Sequence, residues 1–402
     1  MTAQPDPVTH PALAERPMRI LIGSSHPYLP QFRGGAQSSS HEMVMALLGR
    51  GHEVAVLGGL TGQGLLGMSA RLRLKFGRRG YTCDSGLGYK VYRAWFAAEA
   101  AADVVREFRA DVALFQSRCP VQLARAVHPT GVPVVIYFRN VETEDLGGPL
   151  TGLEGVRFLA NSHFTAQAFA TSDNVSSEVI YPLIEAERYQ TETRRQNVTF
   201  INPHPYKGLD IALAVAKACP EIPFVFVRSW LLSDAEERKL QDSVNAVGNI
   251  TLRPATSDMR TVYCDAKIVL APSRWNEAFG RIAAEAHING IPVVASDRGG
   301  LPEAVGPGGI LVDPDGPIEA WSEAVRVLWT DDAVYARYSD AARAHAQRQE
   351  MDPESQVIAL ESFLAASIRR DSCLAPSAGA LKHPSGRRFY ASQAGTNTGF
   401  VD

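Results

Sequence analysis

Residues 272–303 read PSRWNEAFGRIAAEAHINGIPVVASDRGGLPE, and this stretch decides the fold. Glu277 and Glu285 bracket a Phe279-Gly280 step that predicts a helix start, and the apolar run Ile291 to Ala295 predicts a strand leading into a Gly299-Gly300 turn. A helix opening near Phe279 offers unpaired N–H groups and the positive end of its dipole to an anion such as a diphosphate. Gly280, lacking a Cβ, lets the backbone approach a phosphate closely. Glu285 lies roughly 7 to 8 Å farther along the helix, where its carboxylate suits the paired hydroxyls of a ribose. Glu277 stays in the loop, on the side of a second sugar ring. Two glutamates at this spacing also occur as solvated helix positions, so the whole string carries the signal, not the pair.

Glu-Ala-Phe-Gly at 277–280, the second glutamate at 285, Gly-Ile-Pro-Val-Val-Ala-Ser at 290–296 and Gly-Gly-Leu-Pro-Glu at 299–303 resemble, in order and spacing, the donor-binding region of the retaining family-4 glycosyltransferases. The resemblance extends over residues 18–365 and is strongest from Lys207 to Asp313. It implies the α/β GT-B fold, two Rossmann-like doubly wound parallel-sheet domains facing a cleft. It also implies a nucleoside diphosphate sugar, UDP- or GDP-linked, held by the C-terminal domain, and an acceptor entering from the N-terminal domain. A soluble chain of nearly neutral net charge favours a small specialised metabolite as that acceptor over an envelope glycan or a lipid carrier. No cofactor and no metal are implied, because helix dipoles and cations manage the diphosphate. Two other readings remain open on the residues, a GT-B sugar-nucleotide epimerase or hydrolase and a noncatalytic GT-B partner subunit.

Length and composition agree with a two-domain soluble enzyme. A chain of 402 residues exceeds one core, and 45% apolar with 21% charged residues is ordinary for a globular protein. A formal net charge of −3 argues against nucleic acid as a partner. No apolar run has the length of a membrane span, and the start of the chain lacks the apolar segment of a secretory signal. Five cysteines without a C-x-x-C pair suggest reduced thiols and a cytoplasmic location. Oligomeric state is not legible.

The periodicity predicts a disordered arm over 1–17 and an N-terminal Rossmann-like domain over 18–184, opened by a strand at Met18 to Gly23, a glycine loop and a helix from Ala36 to Arg50. A charged linker covers 185–196, and a second alternating strand and helix set covers 197–352. The resemblance implies that a helix over 353–370 crosses back to the first domain. Residues 371–402, rich in Ser, Gly, Pro and Asn, read as a disordered tail.

The candidate site residues follow from this layout. Gly34 and Gly35 stand between the first strand and first helix, where the backbone can approach a phosphate or sugar. Lys207, at a helix entrance, can neutralise a leaving diphosphate. The resembling family commonly has an arginine five residues before this lysine, where this chain has Asn202; Arg253, Arg274 or Arg281 could substitute, with Arg281 favoured by its place after the Phe-Gly step. Ala278, Phe279, Gly280 and Arg281 complete the expected donor site with Glu277 and Glu285. Related enzymes often have a histidine near the turn where Arg139 and Asn140 stand; a buried arginine there could bind an oxyanion, or pair with Glu142, Glu144 or Asp145 and merely shape the loop. His26 follows the first strand and could touch the acceptor. Glu277, Lys207, Arg139 and His26 are thus the expected catalytic residues, and His26, Arg139 and Asn140 the acceptor side. Finally, Arg71 to Arg79 place five cations among Leu72, Leu74 and Phe76. Such a segment can touch an anionic membrane or guide an anionic acceptor, or be a solvated face over a core stripe.

Overall fold

The computed structural model describes residues 16–32, 34–230 and 232–374. Most of the expected N-terminal arm and the tail beyond Leu374 lie outside the described residues.

Eight strands form the first sheet: β1 (Arg19–Pro27), β2 (Glu53–Gly59), β3 (Tyr81–Asp84), β4 (Lys90–Ala94), β5 (Val112–Gln116), β6 (Val134–Phe138), β7 (Arg157–Ala160) and β8 (Glu178–Val179), in the order β3-β4-β2-β1-β5-β6-β7-β8. The central strand β1 runs parallel to both neighbours, with Ile20 level with Val54 and Val112. Both faces of this sheet are covered, which is why β1, β5 and β6 read as continuous apolar runs rather than alternations. Leu21, Ala113 and Ile136 join the core on one face, and Ile20, Leu114 and Val135 the core on the other. One edge departs from the wholly parallel pattern expected. The short connection between β3 and β4 forces the two antiparallel.

The second sheet holds β9 (Asn197–Ile201), β10 (Phe224–Val227), β11 (Ile250–Arg253), β12 (Ala266–Ala271), β13 (Val293–Ser296) and β14 (Gly309–Val312), all parallel, in the order β11-β10-β9-β12-β13-β14. The chain winds outward in one direction from β9 and in the other from β12, so a crevice opens at the carboxyl ends of these two strands. The loops leaving β9, β12 and β13 carry Lys207, Glu277 and Gly299 to that crevice.

The last helix, Pro353–Leu374, runs past the expected end at 370 and packs on the first sheet. Val357, Leu360, Phe363 and Leu364 enter the core beside Ile20, Val112 and Val135. Polar contacts fix its register: Arg50 Nε meets Glu361 Oε2 at 2.7 Å, Gln356 Oε1 accepts from Tyr181 N at 2.6 Å, and the Arg157 guanidinium lies 3.6 Å from the Phe363 ring centre. No described helix is long and apolar enough to cross a membrane.

Candidate active site

The helix expected to start near Phe279 begins at Arg281 and runs to Ile288, with Gly280 as its N-cap. Gly280 has φ +99°, and a Cβ there would lie 2.7 Å from Leu301 Cδ2, so only glycine fits the turn that aims this helix at the crevice. Gly299, at φ +64°, is equally constrained, because its Cβ would meet the backbone of Glu277 at 2.7 Å. The two loops are also tied by Gly300 N donating to Glu277 O at 2.6 Å. The backbone that presents Glu277 is thereby held from both sides.

Lys207 Nζ contacts Glu277 Oε1 at 2.5 Å, and Ser273 Oγ donates to the same oxygen at 3.0 Å. The ammonium also lies 5.4 Å from the Trp230 ring centre and 5.7 Å from that of Trp275. A cation held between two indole faces and a carboxylate keeps its charge at the mouth of the crevice without a long flexible excursion. Trp275 Nε1 in turn donates to Glu142 of the first domain.

Glu285 does not stand free in the crevice. It is only 5% exposed; its Oε1 accepts from Arg281 Nε at 2.7 Å and its Oε2 from the Tyr263 hydroxyl at 2.8 Å. Arg281, expected to face phosphate, is spent on carboxylates: its Nη2 reaches Glu42 Oε2 at 2.7 Å, on the first domain's Gly35–Gly49 helix. Glu42 Oε1 also accepts from Arg188 at 2.8 Å and from the Tyr189 hydroxyl at 3.0 Å. Burial disfavours the Arg281 charge, but Glu285 and Glu42 overcome it and push the pKa upward. Burial raises the Glu285 carboxyl, with Arg281 opposing. Glu42, Arg188, Tyr189 and Tyr263 are residues the sequence reading lacks. The available signal is a glutamate beside Met43, Val44 and Leu47 on the buried side of a helix that also buries Gln37, Ser39 and Ser40.

The other candidates for the missing cation are likewise occupied. Arg253 pairs with Asp265 at 3.0 Å, and Arg274 with Asp210 at 2.6 Å and Asp315 at 3.3 Å. Asn202 is a turn residue: its φ of +65° lies in the left-handed region that asparagine tolerates, and its Oδ1 accepts from Trp230 N at 3.2 Å. The Phe279 ring belongs to the core against Tyr181, and the residue is only 3% exposed. Ala278 offers its carbonyl to Ser162 Oγ at 2.5 Å and Thr165 Oγ1 at 3.1 Å across the domain boundary. Gly34 is extended, at φ −159°, and caps the Gly35–Gly49 helix, while a Cβ on Gly35 would meet nothing within 4 Å.

On the first domain, Arg139 donates to Gln116 Oε1 at 3.0 Å, and its guanidinium lies 5.1 Å from the Tyr137 ring centre. No carboxylate among the described residues pairs with it; Asp145 is taken by Asn140 Nδ2 at 2.6 Å. Burial pulls the Arg139 pKa down, and Tyr137 opposes that pull. His26 lies at the end of β1, its ring parallel to Phe32, and burial followed by Arg118 lowers its pKa, so the imidazole is neutral near pH 7. His26 lines a small, mainly apolar pocket with Tyr28, Val56 and Leu57, into which Gln37, Ser40 and Gln116 also face. Cys83, Cys119, Cys219 and Cys264 are free thiols. No group of three His, Cys, Asp or Glu side chains among the described residues is gathered to hold a metal ion.

Two Rossmann-like domains with a glycine-framed Lys-Glu pair at the switch point of the second define a GT-B protein. Residues 195–331 match the family model described as glycosyl transferases group 1. The D-inositol 3-phosphate glycosyltransferase of Corynebacterium glutamicum is 44% identical over 93 residues, 23% of this chain and 22% of that protein. The enzyme of the same description from Segniliparus rotundus is 33% identical over 193 residues, 45% of this chain and 42% of that protein. The chain thus spans under half the length of these relatives. The crystal structure of Anabaena HepE with UDP and glucose superposes with a TM-score of 0.68 at 19% identity, covering 87% of this chain and all of that one. The likeness to family-4 glycosyltransferases read from the sequence holds for the fold and for the C-terminal domain.

Proposed function

We propose that the protein is a retaining glycosyltransferase that moves a sugar from a nucleoside diphosphate sugar to an acceptor hydroxyl. The observation that carries this reading is the Lys207–Glu277 pair at the β9 and β12 ends, beside the open N-terminus of the Arg281–Ile288 helix. The diphosphate lies against the helix-start amides, and Lys207 turns toward it as the bond from the anomeric carbon to phosphate oxygen breaks. Glu277 accepts from hydroxyls of the transferred sugar. Glu285, through its remaining lone pairs, accepts from the ribose. The acceptor oxygen attacks from the same face, and its proton passes to the departing phosphate oxygen. Arg139, a buried guanidinium without a carboxylate partner, receives an anionic group of donor or acceptor. Contacts such as Ser162 with Ala278 close the domains around the reactants and exclude water.

HepE, which shares the fold, was captured with UDP and glucose, so UDP-sugars are the first donors to test. The relatives named for inositol 3-phosphate make phosphorylated polyols the first acceptors. The test is UDP release from UDP-sugar with and without acceptor, followed by the anomeric configuration of the product by NMR. Acceptor-dependent release with retained configuration is expected. Release at the same rate without acceptor would replace this reading with a hydrolase.

A further inference from the structure

The helix Gly64–Phe76 turns four large apolar side chains outward and leaves Leu66 and Leu74 half-buried. Leu65, Met68, Leu72 and Phe76 are 87%, 59%, 59% and 80% exposed, while the residues it buries against the protein are Gly67 and Ala70. At about 100° per residue, the four exposed side chains fall within an arc of roughly 80°, a single stripe along a helix about 20 Å long. Leu72 and Phe76 therefore contradict the reading of this segment as a solvated face over a core stripe. The Trp95 ring, itself 44% exposed, lies beside the same helix, where Gly62 is equally near Trp95 and Arg71.

Charge is arranged around the stripe. On the helical wheel Arg71 and Lys75 flank one side and Arg73 the other, and Arg78 follows the helix end. These four are exposed, and no carboxylate among the described residues pairs with them; only Arg79 is engaged, with Glu107. No Asp or Glu occurs between Glu53 and Asp84, so the patch is strongly basic in a chain of net charge −3. A convex apolar ridge bordered by free cations on both sides fits a flat surface that is apolar beneath and anionic above. We propose that this helix docks the protein, lying in the plane of the interface, on a bilayer containing anionic lipids. The stripe enters the boundary between headgroups and acyl chains, and the cations meet lipid phosphates. A protein partner would need an apolar groove with acidic rims on both sides. The docking is reversible, because one short helix and four cations supply far less than a spanning segment.

Flotation of the full chain with vesicles of phosphatidylglycerol and phosphatidylcholine, against phosphatidylcholine alone, tests the proposal. Binding is expected to the anionic vesicles, to fall at least ~10-fold in high salt, and to fall by a similar factor in the variants Leu72→Glu/Phe76→Glu and Arg73→Glu/Lys75→Glu. Both variants alter exposed positions, and unchanged melting curves would confirm that they fold. Failure of the wild-type chain to float with anionic vesicles overturns the proposal. So does binding that both variants retain, or concentration-dependent self-association that Leu72→Glu/Phe76→Glu abolishes in the absence of lipid, which would assign the stripe to a second copy.

Discussion

Replacing Lys207 by alanine is expected to lower turnover about 10²- to 10³-fold, equivalent to ~3 to 4 kcal/mol of transition-state stabilisation, while the melting temperature stays within a few degrees of wild type. In the proposed reaction negative charge accumulates on the leaving diphosphate as the glycosidic bond breaks, and Lys207 is the cation that Glu277, Trp230 and Trp275 hold at the crevice mouth. The arginines that might have shared the task, Arg253, Arg274 and Arg281, are committed to Asp265, Asp210 and the Glu42–Glu285 pair. Little redundancy is left. Steady-state kinetics with saturating donor measure the effect. An unchanged kcat would remove Lys207 from the chemistry and leave it as a partner that orients Glu277.

The second large effect is on stability. Glu42→Ala is expected to cost about 3 to 5 kcal/mol, because it strips the shared carboxylate from Arg281 and Arg188 and leaves cationic groups facing one another in a site from which the glutamate side chain is wholly excluded from water. At ~2 to 4 °C per kcal/mol for domains of this size, the melting temperature should fall by roughly 6 to 20 °C. Glu42→Leu combined with Arg281→Met and Glu285→Gln should recover part of that loss, since replacing the three buried charges together restores packing without a stranded carboxylate at 285. A fall below about 1 kcal/mol for the single variant would show that water reaches the cluster and that the domains are not joined through it. The same cluster explains why Glu285 is held as it is. Its carboxylate is clamped by Arg281 and Tyr263, so the geometry of the proposed donor site depends on a residue of the opposite domain.

What was legible in the sequence was whatever is local. The glycines at 280 and 299 mark backbone that no side chain could share, and the apolar runs of β1, β5 and β6 report strands buried on both faces, so the architecture and the position of the crevice could be read directly. Arg281 and Glu285 stand four apart on a helix, a spacing that brings them together. Their third partner, Glu42, is 239 residues from Arg281, and nothing in either neighbourhood names the other. Tyr263 is nearer, 22 residues before Glu285, but stands on a separate short helix, so no helical spacing links the two. The hairpin β3–β4 escaped because Arg93, in the middle of β4, interrupts the apolar pattern. That arginine is fully buried, its charge met by Asp84 at 2.6 Å and by the carbonyl of Leu29. The segment Arg71 to Arg79 shows the complementary limit. Its periodicity is the same whether the apolar stripe faces the core or the solvent, and only packing against Gly67 and Ala70 settles which. Asn202 carries its own lesson. Where the resembling family commonly has an arginine, this chain makes a left-handed turn, and the Asn202 side-chain oxygen accepts from the Trp230 amide.

The central claim, a nucleotide-sugar site built on Lys207 and Glu277, is tested most directly by melting the purified protein with UDP, GDP, ADP, CMP and dTDP, and repeating the scan on Glu277→Gln and Lys207→Ala. Ligand at ~100 times its dissociation constant stabilises a protein by about 2.7 kcal/mol, which at ~2 to 4 °C per kcal/mol is a shift of several degrees. The account predicts such a shift for one nucleoside diphosphate, UDP first, and a clear reduction of it in both variants. No shift with any of the five, or a shift that both variants keep in full, would contradict it.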